Sequence, residues 1–77
     1  MLIQGKIVNI IDRDIIIGRF PRTIPLGSSV EDNRRNHLGI AHSLLGPVDN
    51  PYVEIRLRKK VDNPISMMER GVYVEVE

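Results

Sequence analysis

Apolar and polar residues alternate along much of this chain, and the alternation is that of β-strands. Ile3 to Ile10 is rich in β-branched residues, and Ile15-Ile16-Ile17 is a second β-prone run. Asp12-Arg13-Asp14 between them reads as the turn of a hairpin. Gly5 inside the first run suggests a bulge or a close backbone approach. Gly18-Arg19-Phe20-Pro21 ends the second run. Pro21 and Pro25 then bracket a connection that cannot carry regular ladder bonds, because proline has no amide proton.

Leu26 to Val30 is a weaker strand candidate. The polar run from Glu31 to Asn36 reads as a hairpin tip, and His37 to Leu45 as the returning strand, with Gly39 inside it. Tyr52 to Lys60 carries the clearest alternation: Val53, Ile55 and Leu57 point one way, Glu54, Arg56 and Arg58 the other. Asp62-Asn63-Pro64 predicts a helix start, with Asn63 as cap, Ile65 to Arg70 as about two turns, and Gly71 as the end. Val72 to Glu77 is the last strand. About six short strands joined by frequent turns, with one short helical turn, predict an all-β fold. A small closed barrel is expected over residues 1–77 as a single domain, because closure removes unpaired edges and so short a chain cannot fill two large sheets.

Composition narrows the function. At 77 residues the core is small, so a permanent partner is plausible. The chain has no cysteine, which excludes disulfides and thiolate metal sites and suits a reducing interior. No apolar run approaches the roughly 20 residues of a membrane span, and the N-terminal residues lack the layout of a signal peptide. A cytoplasmic protein is expected. The formal net charge of +1 is too balanced for a general nucleic-acid coat. Phe20, Tyr52 and Tyr73 are the only aromatic residues, a poor platform for stacking bases.

Catalytic and metal constellations are not evident. His37 and His42 fall on opposite faces of a strand, and on a helix they would be roughly 140° apart, so they do not form a two-histidine site. Asp12 and Asp14 read as turn formers, and Ser28-Ser29 has no base beside it in the sequence. Met67 and Met68 read as core filling, with a soft plug against a partner or across one end of the barrel as the alternative. Two basic clusters are candidate RNA contacts: Arg34 and Arg35 at the hairpin tip, and Arg56, Arg58, Lys59 and Lys60 along and beyond a strand. The competing explanation is a charged face that discourages edge-to-edge aggregation.

One stretch asks for more. In GPVDNPYVEI, residues 46–55, two prolines stiffen a loop that carries Val48 and leads to Tyr52. Pro51 biases Asn50 toward an extended conformation, which sets the direction of Tyr52. Restricting the backbone lowers the ordering cost of binding, and tyrosine is a frequent interface anchor. The loop is therefore a candidate docking surface, with packing of Tyr52 on the barrel's own rim as the alternative.

HLGIAHSLLGPVDNPYVEIRLRKK resembles the signature of the Gar family, the small barrel subunits of H/ACA ribonucleoproteins. Gly39 matches the internal glycine of the family's strand, and Gly46, Pro47, Val48, Pro51, Tyr52 and Val53 match its loop in order and spacing. IQGKIVNI and GVYVEVE are similar to the first and last strands. Ile40, Ser43 and Leu45 depart from the family's frequent lysine, acidic residue and phenylalanine. The chain has no arginine-glycine-rich tail, as in archaeal members. The resemblance implies a six-stranded barrel of the translation-factor-domain type. It also implies a non-catalytic subunit with no cofactor, which docks on the pseudouridine synthase catalytic subunit and meets the guide RNA particle indirectly. There it would assist substrate loading or product release. The expected partner-binding residues are Leu44, Leu45, Gly46, Pro47, Val48, Pro51 and Tyr52. The alternatives are an autonomous RNA-binding barrel working through the two basic clusters, a self-associating barrel and, more remotely, a small enzyme.

Overall fold

A computed structural model describes residues 1–77. Six antiparallel strands, β1 (Leu2–Asp12), β2 (Ile15–Arg19), β3 (Ser29–Glu31), β4 (His37–Leu45), β5 (Tyr52–Leu57) and β6 (Gly71–Glu75), close into a barrel in the order β1-β2-β5-β4-β3-β6. Closure leaves no strand of the six without two neighbours, as the sequence predicts. The alternating inward positions are mostly isoleucine and valine, including Ile7, Ile16, Val53, Ile55, Val72 and Val74, and they form one buried cluster. β1 pairs with both β2 and β6, and irregularities after Ile7 and Ile10 bend it between these neighbours.

Phe20 is the largest side chain in that cluster and is 1% exposed. Its seat is made by two residues without side chains. A Cβ on Gly5 would lie 2.7 Å from the Phe20 ring and 2.8 Å from the Arg19 carbonyl oxygen. One on Gly18 would lie 3.2 Å from the other edge of the ring. The close backbone approach expected at Gly5 is that of the Arg19 carbonyl, and the Phe20 ring packs where a side chain would be. At Gly39, β4 and β5 come together so tightly that a Cβ would overlap the Arg56 carbonyl oxygen and stand 2.8 Å from its carbonyl carbon.

Two elements differ from the sequence expectation. The ladder of β3 covers Ser29–Glu31 rather than Leu26 to Val30. Pro25 begins a turn in which Ser28 N donates to the Pro25 carbonyl at 3.1 Å, and Gly27 takes φ 86°, so the chain enters the ladder late. The expected two-turn helix is one 3-10 turn, Pro64–Met67. The Asn63 side chain does not cap it; the Ser66 hydroxyl donates to the Asn63 carbonyl at 2.7 Å instead. The chain is then drawn onto β1, where Glu69 N donates to Ile7 O at 2.8 Å and Ile7 N donates to Arg70 O at 2.9 Å. Those bonds preclude further helix, so Gly71 opens β6 rather than ending a helix. Met67 is buried in the core, as expected, while Met68 is 38% exposed.

Gly39→Ala is expected to destabilise the fold by about 3 kcal/mol, because the clash is with backbone that cannot rotate away. Urea unfolding of the two proteins measures it, and an unchanged midpoint would show that β4 and β5 have room to separate.

Candidate functional site: the β4–β5 loop and the outer face beside it

The loop between β4 and β5 is held at both ends. Gly46 turns the chain out of β4 at φ 85°, a conformation that L side chains rarely adopt. Asn50 N closes the following turn on the Pro47 carbonyl at 3.4 Å. Pro51 is fully buried, and its carbonyl accepts the Phe20 amide at 3.1 Å. Between these fixed points Val48 stands at the tip, 78% exposed.

The expected contact residues divide into two groups. Leu45 is 54% exposed and joins Val48 outside. Leu44 pairs with Val53 and packs against the core, and Pro51 is sealed, so both shape the loop from within. Tyr52 is half-buried on the outer face, flanked by Leu45 on β4 and Arg19 on β2. The Arg19 guanidinium carbon lies 4.5 Å from the ring centroid, and Nη1 donates to the phenol oxygen at 2.8 Å. Arg19 Nε is enclosed and has no acceptor. Tyr52 is thus packed on the barrel rim and fixed there, beside exposed Leu45.

Two further aliphatic residues belong to this side of the barrel. Ile40, 42% exposed, lies on β4 opposite Arg56. Leu26, 60% exposed, comes alongside β4 because Gly27 N donates to Ala41 O at 2.8 Å and Ala41 N donates to Ser28 O at 3.0 Å. The outward position of Ile40 was legible from its alternation with Gly39 and Ala41. The position of Leu26 depends on long-range pairing and had no local signal.

Between the aliphatic positions lies a charged group. Glu54 Oε1 accepts the Ser43 hydroxyl at 2.8 Å and lies 3.7 Å from His42 Nδ1, while Oε2 lies 3.5 Å from Arg56 Nε. The Ser43 hydrogen bond foremost, with smaller electrostatic contributions from His42 and Arg56, holds the Glu54 carboxyl below its ordinary range despite partial burial. Arg56 is thereby paired.

The basic residues do not form one surface. Arg35 Nε meets Glu31 Oε1 at 2.6 Å and Nη2 meets Glu75 Oε1 at 3.4 Å. The hydrogen bond and charge of Glu31, with a smaller contribution from Glu75, push its pKa up. Arg34 makes no ion pair. Arg58, Lys59 and Lys60 lie past the end of β5, exposed and unpaired, so the expected strand stripe stops at Leu57. His37 and His42 face different partners. His37 Nδ1 is 2.6 Å from the Ser29 hydroxyl, across the hairpin. No base lies beside Ser29 in the sequence, and strand pairing supplies one. Both residues are exposed and no carboxylate joins them.

No protein-family model matches the chain. An uncharacterized protein of Methanothermobacter thermautotrophicus is 31% identical over 58 residues, which cover 75% of this chain and 63% of that protein. The fold and the site define a small closed β-barrel with a braced apolar loop.

Ser43→Ala is expected to raise the Glu54 pKa toward the ordinary carboxylate value. Because the folded pKa is depressed, ionised Glu54 contributes stability above its unfolded pKa, and that contribution is lost as pH falls through the lowered folded value. The variant should therefore show a weaker dependence of stability on acid pH. Side-chain NMR titration reads the shift directly, and an unmoved Glu54 would assign the effect to His42 and Arg56.

Proposed function

We propose that this protein is a non-catalytic, cytoplasmic accessory subunit of an H/ACA-type RNA pseudouridylation particle, docking on the pseudouridine synthase through the β4–β5 loop. In this reading it assists substrate loading or product release by the synthase. The observation that carries the proposal is the exposure of Val48 and Leu45 on a loop immobilised by Gly46, the Pro47 turn and buried Pro51. A solvent loop has no need of rigidly presented aliphatic residues. The resemblance of residues 37–60 to the Gar family includes this same loop and indicates the partner. An archaeal relative agrees with an archaeal-type particle.

Working through Arg34, Arg35, Arg56, Arg58, Lys59 and Lys60 as one RNA surface is less well supported, since Arg35 and Arg56 are paired with carboxylates and Arg34, at the β3–β4 tip, lies on a different element from Arg58, Lys59 and Lys60 past the end of β5. The exposed aliphatic residues favour protein contact. Burying Leu45 and Val48 would contribute about 1.5–3 kcal/mol each.

Leu45→Glu combined with Val48→Asp changes only exposed positions, so the barrel should keep its circular dichroism spectrum and unfolding midpoint. Affinity for an archaeal-type pseudouridine synthase, measured by calorimetry, should fall about 100-fold or more, and the native complex should tolerate high salt. Unchanged affinity in a folded double variant would overturn the proposal.

A further inference from the structure

We infer that the cleft between the β3–β4 tip and the outer face of β6 binds single-stranded RNA, taking a phosphodiester between Arg34 and Arg70 and a base against Tyr73. The cleft has a volume of about 560 Å³ and is lined almost wholly by polar residues. That volume is within the range of about 300–1,000 Å³ typical of small-molecule sites. Gln4 and Tyr73 form its floor as a cross-strand pair of β1 and β6, and Asn33 and Asn36 line it from the tip.

The charges are arranged for an anion. Neither Arg34 nor Arg70 forms an ion pair, whereas neighbouring Arg35 is occupied by Glu31 and Glu75 and so removes the nearby carboxylates from competition. Asp32 is the only acid in the lining. Its Oδ1 accepts the Arg34 amide at 2.8 Å and the Asn36 amide at 2.9 Å, and its Oδ2 accepts Asn36 Nδ2 at 3.3 Å. Those bonds, the Asn36 amide foremost, hold its pKa down and commit the carboxylate to shaping the tip. Two guanidinium groups outside any ion pair remain, Arg34 sharing its field with the Asp32 carboxylate, and each can offer paired donors to a phosphate.

Arginine alone would also suit a carboxylate on a protein. The combination with an aromatic ring and three carboxamides favours RNA. The ring supplies a stacking surface, and the carboxamides supply donors and acceptors for base edges and the 2′-hydroxyl. The position is compatible with docking on the other side. In a closed ring of six, β6 lies opposite β5, so a partner covering the β4–β5 loop leaves this cleft open. The inference does not depend on that partner, and the isolated chain tests it.

Binding of a fluorescent single-stranded RNA of about 10 nucleotides is measured by anisotropy at low salt. Arg34→Gln with Arg70→Gln should weaken it about tenfold or more, while Arg58→Gln with Lys60→Gln, removing equal charge elsewhere, should change it less than about twofold. Tyr73→Leu should weaken it about fivefold and Tyr73→Phe should not, with folding of each variant checked by circular dichroism. Absence of wild-type binding, equal loss from both charge-removing pairs, or equal affinity of the Leu and Phe variants would overturn the inference. An acidic peptide that competes as well as unlabelled RNA would also overturn it, by assigning the cleft to protein.

Discussion

The hydrogen bond from the Phe20 amide to the Pro51 carbonyl joins the barrel's core to its loop. Phe20 can hold that position because Gly5 and Gly18 leave a slot that its ring fills. The amide of this immobile residue then fixes Pro51, which is itself sealed from solvent. From Pro51 the chain has few ways back to Leu45, and Gly46 supplies the left-handed turn that completes the path. The exposure of Val48 is thus a consequence of how the interior is packed. A floppy loop would fold its aliphatic residues against the nearest apolar surface, since burial is favourable. Here the backbone restraints prevent it.

Tyr52 shows how the same scaffold treats a side chain that could have been free. Arg19 lies against the ring and donates to its phenol group, at the expense of leaving its own Nε enclosed without an acceptor. A buried donor without a partner is unfavourable, and the cation–π contact and the phenol bond offset it. The result is a fixed ring between Arg19 and Leu45. On the next rung, Glu54 gathers Ser43, His42 and Arg56 into a polar group that separates the Leu45 end of the face from Ile40. The outer face of β4 and β5 therefore presents aliphatic residues on a restrained and charge-balanced ground.

Most strands could be read from the sequence because alternation is local and the inward positions are β-branched. His37 to Leu45 was legible to the residue, and Tyr52 onward differed only where the chain leaves the ladder after Leu57. The β3 start was missed because of a local turn at Pro25–Ser28, and the helix because a long-range bond overruled a local preference. Asn63-Pro64 and Gly71 look like helix boundaries, yet pairing of Glu69 and Arg70 with Ile7 pulls the segment out of helical geometry after one 3-10 turn. The site followed the same division. Val48 and Gly46 announced themselves through the loop's prolines and glycine. Leu26 and the Arg34–Arg70–Tyr73 grouping are brought together only by barrel closure, and the neutralisation of Arg35 by Glu75 spans 40 residues.

The proposal turns on whether the β4–β5 loop is the surface that docks on a pseudouridine synthase. Methyl NMR of the isotope-labelled barrel, titrated with an archaeal-type pseudouridine synthase, tests it most directly. The account predicts that the methyl signals of Leu45 and Val48 shift or broaden first and most, while those of buried Val30 and Val72, on the β3 and β6 side, stay in place. Perturbation centred on β6, or Leu45 and Val48 signals unmoved at saturating synthase, would contradict it.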